Sequence, residues 1–494
     1  MRRAKKFVLN AAILTATALL VRMVSVAFSV YVANQIGAEG VGIFQLITSV
    51  YLFAVTVATS GIHLTTTRLV TEELAQNSPA TAKAALYKCL RYSLCFSILA
   101  AAGLYVAAPW VTRVWLHEKI SIRPMIALAL SLPPLAVSNV FVGYFTALRN
   151  ATKNASSQVF KQVIKVAVTV TLLHLWLPRG LDYACFALVL GDLLAESGTF
   201  VYLWVLYLLS QRRARLRAKT RAGLTRKMMG ICLPIAFSSY VRSALVTVKQ
   251  VMIPSGLEKS GLTCDEAIAQ YGLVGGMVMP VLMFPSVLLS AVSTLLIPEI
   301  SEKHIQHKQG QIQRILARIF KITLLFSVCV SGVLFAFADQ LSLALYQSAD
   351  AAFYIRLLAP LVVLMYFDEI VDAILKGLNE QVRVVGINIL DTAVGIGMIY
   401  LILPWWGVYG YVAVIMVTET LNAVLSIRRL CLVSRFHIDF MGWIVTPLVC
   451  VGIAVLSIRL VVPLGVVWRI LIAIALYLVL LFVSGTLTKA DFKV

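Results

Sequence analysis

Acidic residues are scarce in this chain. Asp and Glu total 22 against 43 Lys and Arg, and charged residues of either sign make up 13% of 494. That is too little polar surface to cover a soluble protein of this length. Histidine occurs six times, and the eight cysteines are scattered, with Cys95, Cys329 and Cys450 inside apolar runs. There is no CxxC pair, so the sequence offers neither a disulfide framework nor a metal-ligand spacing, and the thiols read as small side chains packed between helices. A GxxxxGK[ST] phosphate loop is missing, as are a soluble stretch long enough to hydrolyse nucleotides and a convincing nucleophile–base pair. These gaps argue against an enzyme and leave no cofactor to expect.

What the chain has instead is apolar sequence. It is 60% hydrophobic, in runs that recur along its whole length and are long enough to cross a bilayer as helices. A spanning segment must satisfy its own backbone groups, which selects helix, and the runs are too long and continuous for a β-barrel. The expected fold is an all-α polytopic membrane protein with fourteen transmembrane helices between residues 7 and 484. The N-terminus, MRRAKKFVLNAAILTATALLVRMVSVAFSVYVA, begins like a signal peptide. Its apolar run is too long and is interrupted by Arg22, so it reads as a retained first span.

The net charge of +21 invites a nucleic-acid reading, but the placement of the charges argues against it. Basic residues collect at the N-terminus and in alternate loops, most densely in QRRARLRAKTRAGLTRK at 211–227, and at the C-terminus. That is the positive-inside pattern, with an even number of spans and both termini cytoplasmic. The loop holding Arg113, Lys119 and Arg123 fits it least well. Beside the basic loop of Arg149 and Lys153, Lys161 and Lys165 lie just inside the next helix. Such loops suit anionic phospholipids of the inner leaflet. The basic linker, 210–228, divides the chain into six-helix halves at 1–209 and 229–431, followed by a two-helix extension at 432–494. Internal duplication of this kind is common in transporters.

Three cations stand out within the spans. Arg22 lies near the middle of the first and Arg242 near the middle of the seventh, at matching depth. Lys249 follows Arg242 by seven residues on about the same face. A charge at mid-bilayer costs roughly 2.5–3.5 kcal/mol on insertion scales. Two readings are open: the cations face a hydrated central cavity and attract an anionic group, or they are paired or snorkel. Arginine suits phosphate because its planar fork matches the oxygens and it keeps its proton. Acids gather further on, in MYFDEIVDAILKGLNE at 365–380, where Asp368 and Asp372 share a helix face. Asp391 and Glu419 are more deeply embedded. These four could bind a coupling cation or proton, or pair structurally. His63 lies among threonines in TSGIHLTTTRL, either lining a cavity or packed, with Arg68 near the end of that span. Pro234, Pro280 and Pro285 should kink or open spans seven and eight, as static geometry or as gating elements.

The basic start running into span one, the turn QIGAEGVGIFQLI at 35–47 and TTTRLVTEELA at 65–75 resemble the SpoVB-type polysaccharide exporters. These belong to the multidrug/oligosaccharidyl-lipid/polysaccharide (MOP) superfamily, which also holds MurJ and the MATE efflux proteins. The likeness covers nearly the whole chain and implies a MATE/MurJ-like arrangement of the halves. It further implies flipping of lipid-linked cell-wall precursors across the bacterial cytoplasmic membrane by alternating access, linked to spore cortex peptidoglycan. In that light Arg22 and Arg242, with Arg68, match the arginines that hold the precursor's diphosphate, and spans thirteen and fourteen match a groove for the lipid tail. The implied partners are an undecaprenyl-type sugar diphosphate and cell-wall synthesis proteins. Coupling would come from the membrane potential or a monovalent cation. A cation-coupled multidrug exporter of MATE type, using Asp391 or Glu419, is the alternative. A non-transporting scaffold for cell-wall synthesis is a third reading.

Overall fold

The computed structural model describes residues 2–59, 61–76, 79–115, 120–211, 223–434, 441–461 and 465–487. Most of the basic linker therefore lies outside the described residues, as do Arg435, Lys489 and Lys493. All regular structure among the described residues is helical.

The first unit runs from Met1 to Val251. It comprises α1 (Arg2–Thr59), α2 (Ile62–Ala75), α3 (Pro79–Val114), α4 (Arg123–Ala147), α5 (Ala151–Trp176), α6 (Leu181–Gln211) and most of α7 (Leu224–Lys259). At about 1.5 Å per residue α1 would be about 87 Å long, far more than a bilayer is thick. It is broken at Gly37, whose φ of 71° and ψ of 178° are non-helical. No atom lies within 4 Å of the position a Cβ would take there, so the backbone conformation rather than crowding calls for glycine. The core of this unit joins Leu69, Val70, Leu86, Cys89, Phe141, Phe145 and Leu203 to Leu224, Met228 and Cys232 at the start of α7.

The second unit runs from Met252 to Val494, so the division falls inside α7. It contains α8 (Cys264–Tyr271), α9 (Met279–Met283), α10 (Val287–Ile305), α11 (Gln309–Ala336), α12 (Ala338–Tyr346), α13 (Asp350–Leu358), α14 (Leu361–Gly377), α15 (Gln381–Ser434), α16 (Thr446–Val461) and α17 (Val466–Val483). α14 buries Tyr366, Phe367, Ile370, Val371 and Ile374. α15 repeats the device of α1, breaking at Gly407 with φ 51° and ψ −128°. The break is flanked by exposed Trp405, Trp406 and Tyr409, the residue types that favour a membrane–water interface. The hairpin of α16 and α17 packs on α11 through Cys450, Val451, Ala454, Tyr477 and Leu481.

Proline acts differently in the two places where the sequence draws attention to it. α7 continues through Pro234 without interruption. Between α8 and α10 the helix is irregular, with a wide π stretch over Gly272–Val278 and a break near Pro285. Pro285 has no N–H to offer Val281, and the chain tightens so that Ser286 N–H reaches the Met283 carbonyl at 3.2 Å. The Leu282 carbonyl, left without its helical partner, accepts the Tyr366 hydroxyl at 2.5 Å. Tyr346 likewise donates to the Met277 carbonyl at 2.8 Å. Buried Tyr366 thus supplies a bond that the irregular backbone lacks, and Tyr346 adds one to the π stretch.

Among the described residues, ten helical segments are long and apolar enough to cross a membrane. The fold is that of an all-α, multi-pass membrane protein.

Candidate functional site

In the first unit the expected cations stand on long helices. Arg22 lies on the first arm of α1, about 22 Å of helix before the Gly37 break. Its side chain is exposed. Arg242 sits near the centre of α7, about 27 Å from Leu224, and is also exposed. Neither makes an ion pair among the described residues, and Lys249, half-buried, makes none either. α7 is fixed against the second arm of α1 by residues flanking Arg242. Tyr240 donates to the Val57 carbonyl at 3.3 Å, Ser243 meets Thr56 hydroxyl to hydroxyl at 3.1 Å, and Thr247 donates to the Ser49 carbonyl at 3.1 Å. Arg242 is offset by about 100° from Ser243 around the helix, so its guanidinium leaves that seam.

The other expected residues of this unit are differently placed. Arg68 is engaged: its Nε donates to Glu72 at 2.9 Å, and Lys227 holds the other oxygen of that carboxylate at 2.6 Å. Lys88 donates to Thr225 at 2.7 Å beside them. His63 is exposed on α2, while its neighbours Thr65 and Thr66 are buried.

Two acids of this unit escaped notice in the sequence. Asp192 and Glu196, in the middle of α6, pair with Lys165 at 2.6 Å and Lys161 at 2.5 Å. The two lysines lie inside the helix, as the sequence suggests, but deeper and paired. α5 begins at Ala151, which carries them about two turns deeper than a span starting at residue 158 would. The signal was available, since both pairs keep a four-residue spacing on either side of the turn at 177–180.

In the second unit the four expected acids come together. Asp368 accepts a hydrogen bond from Asn422 Nδ2 at 2.9 Å. Asp372, Glu419 and Asp391 are its carboxylate neighbours, and Ser426 lies beside it. They come from α14 and from both arms of α15. Lys376 approaches Asp372 at 3.6 Å, and Glu369 takes a separate partner, Ser290. Asp368 Oδ1 and Asn422 Oδ1 are buried without a well-formed hydrogen bond. Among the described residues no group of three or more His, Cys, Asp or Glu converges in a metal-binding arrangement.

The described structure is thus an all-α, multi-pass membrane protein with cations at mid-helix in one unit and gathered acids in the other. The chain belongs to the family described as polysaccharide biosynthesis protein, whose model matches residues 7–304. The MatE family model matches residues 260–401. The chain is similar to stage V sporulation protein B of Bacillus subtilis (strain 168), with 26% identity over 82% of this chain and 79% of that one. It is also similar to sporulation protein YkvU of the same organism, with 21% identity over 80% of this chain and 88% of that one. Among solved structures it resembles the inward-facing conformation of a multidrug resistance MATE family transporter of the MOP superfamily. The TM-score is 0.65 at 14% identity, covering 85% of this chain and 99% of that one. The fold is MATE-like, and the chain is a transport protein of that superfamily.

Proposed function

We propose that the protein moves polyprenyl-diphosphate-linked precursors of the cell wall, or of a polysaccharide, from the cytoplasmic to the outer leaflet by alternating access. The observation that carries this reading is the pair Arg22 and Arg242, exposed guanidiniums at mid-helix with no ion pair among the described residues. An unneutralised arginine at that depth is costly and calls for water or an anion, and a diphosphate supplies the oxygen geometry that its fork matches. Lys249 extends the cationic stripe. Arg68 serves, in this reading, where the substrate enters or leaves.

Fourteen crossings fit this function. The breaks at Gly37 and Gly407 turn two of the long segments into pairs of spans. α8 to α10 form one irregular crossing, and α13 with α14 form another. The positive-inside pattern supports both termini in the cytoplasm of a bacterium, and the reading keeps halves at 1–209 and 229–431, a linker at 210–228 and an extension at 432–494. In this scheme α16 and α17 flank the undecaprenyl-type tail, the basic loops meet anionic phospholipids, and cell-wall synthesis proteins supply and receive the cargo. The two relatives named for sporulation support a role in spore formation, and in this reading the cargo is a precursor of spore peptidoglycan. Pro280 and Pro285, where the helix is already irregular, are the gating elements, with Pro234 a lesser one.

The acids around Asp368 favour a coupling role in the same cycle, for a proton or a monovalent cation acting with the membrane potential. They also favour the second reading, a cation-coupled multidrug exporter of MATE type. Reconstitution separates the two. Accelerated flipping of a labelled undecaprenyl-diphosphate sugar, lost in Arg22→Ala, supports the first, and antiport of a cationic dye supports the second. Failure of both with retained binding to cell-wall enzymes would make the protein a scaffold.

A further inference from the structure

The charge ladder between α5 and α6 has no part in the scheme so far. Its rungs are Lys161–Glu196 at 2.5 Å and Lys165–Asp192 at 2.6 Å. They lie one turn apart, about 6 Å along the helix axis. From Ala151, Lys161 is about 15 Å and Lys165 about 21 Å along a helix of about 39 Å. Both rungs therefore sit close to the middle of the span. The two helices come together tightly there. A Cβ on Gly191 would lie 1.9 Å from Thr169 Oγ1, and one on Gly198 would lie 2.8 Å from Ile164 Cδ1. Packing of that kind already holds α5 to α6, so the ladder is not required as glue.

Its exposure is lopsided. The side chains of Glu196 and Asp192 keep 9% and 21% of their surface, whereas those of Lys161 and Lys165 keep 41% and 29%. The acids are the inner partners and the ammoniums the outer ones. Nor do the ammoniums share the exposed apolar stripe of α5. Phe160, Val163 and Leu175 mark that stripe, and Lys161 and Lys165 lie about 100° and about 140° around the helix from its centre. Two partly open ammoniums at mid-span, turned away from the apolar face, are groups that meet water or an anion. Tyr51, hydroxyl-bonded to Ser131 at 2.7 Å, adds a further polar group beside both acids.

We propose that Lys161 and Lys165 are a second contact for the diphosphate of the lipid-linked substrate, with Glu196 and Asp192 as built-in attenuators of their charge. This rests on the flippase reading above and deepens it. An ammonium has three donors. One bond to a carboxylate leaves two for phosphate oxygens, and the one-turn spacing presents one ammonium to each phosphate. The carboxylates keep the empty wall near neutrality, so the unloaded protein does not carry two further bare cations in the membrane. They also weaken the grip, and a carrier has to release what it holds. Arg22 and Arg242 recruit the anion in this arrangement, while the ladder holds it reversibly.

The test uses the full chain in lipid nanodiscs, with farnesyl diphosphate as probe and inorganic pyrophosphate as competitor. Lys161→Gln with Lys165→Gln should weaken farnesyl diphosphate binding by about tenfold or more, and Lys161→Arg with Lys165→Arg should restore most of it. Glu196→Gln with Asp192→Asn should tighten binding several-fold, a change that a helix strut cannot produce. Competition by pyrophosphate would mean that the diphosphate alone is read; failure to compete would assign a lipid-borne one. If the lysine and acid variants, each matching wild type in thermal unfolding, bind as wild type does, the ladder proposal falls and the flippase reading stands. The ladder proposal falls in the same way if both variants weaken binding alike. If wild type binds no diphosphate, both fall.

Discussion

The two units treat charge inside the membrane in opposite ways. In the first the excess is cationic: Asp192 and Glu196 are each committed to a lysine, and Arg22 and Arg242 remain without an ion pair among the described residues. In the second the excess is acidic, with Asp368, Asp372, Asp391 and Glu419 drawn to one place on α14 and α15. The difference is one of chemistry as well as sign. A guanidinium does not give up its proton, so it stays charged until an anion comes to it. A crowd of carboxylates can reduce its repulsion by taking up a proton or a small cation. The first arrangement suits the holding of cargo, and the second suits coupling to a gradient.

The largest effect expected from breaking this contrast is at the guanidiniums. Arg22→Ala or Arg242→Ala should lower flipping in proteoliposomes by about a hundredfold, since truncating one partner of a close charge pair costs about 2–5 kcal/mol. Insertion and thermal unfolding should remain near wild type. Full transport by a well-inserted Arg22→Ala protein would remove the first unit's claim to the cargo. Next in size is Asp368→Asn, which keeps the shape and abolishes the charge. Gradient-driven transport should fall by about tenfold, the scale of a modest coupling free energy, with diphosphate binding unchanged. Loss of binding in that variant would show that the division of labour between the units is wrong.

Much of this contrast is legible in the sequence. Arg22, Arg242, Asp391 and Glu419 stand out because a lone charge in an apolar run is conspicuous, and Asp368 and Asp372 share a face by simple spacing. The helical, multi-pass class follows from run length alone. The ladder is harder to see. Lys161 and Lys165 fall close to a loop, and there the positive-inside rule offers a sufficient explanation. Their partners lie across a hairpin whose register depends on where α5 begins. Asn150 is a favoured N-cap residue directly before α5, but a span read from apolar run length begins only after the polar residues that follow it. Arg68 is misleading in the opposite sense: it looks available in the sequence, but Glu72 and Lys227 occupy the same corner. Pairing across helices depends on tertiary structure, and a one-dimensional pattern carries little of it.

Packing offers a smaller comparison between the units. Gly191→Ala should destabilise the protein by about 1–3 kcal/mol in detergent unfolding, the usual cost of overpacking. A Cβ there would meet Thr169 Oγ1 at 1.9 Å, and it would still lie 3.1 Å from Thr169 Cβ and 3.4 Å from its Cα. Rotating the hydroxyl away therefore does not free the space. Gly397→Ala in α15 meets nothing within 4 Å and should be neutral, or stabilising by up to about 1 kcal/mol through helix propensity. Equal effects at the two sites would mean that the α5–α6 seam is looser than its glycines suggest.

The smallest effect is expected at the Arg68–Glu72–Lys227 corner. The side chains of Arg68 and Lys227 are 61% and 45% exposed, and pairs of that kind contribute about 0–1 kcal/mol and are screened by salt. Glu72→Gln should therefore move thermal unfolding by no more than a degree or two, and the difference should vanish in high salt. The residue joins α2 to the start of α7, so its transport phenotype is the more telling readout. If Arg68 serves the cargo, releasing it from Glu72 should raise diphosphate affinity with little change in stability. If the corner only ties α7 to α2, affinity should stay as in wild type and flipping should change in rate alone.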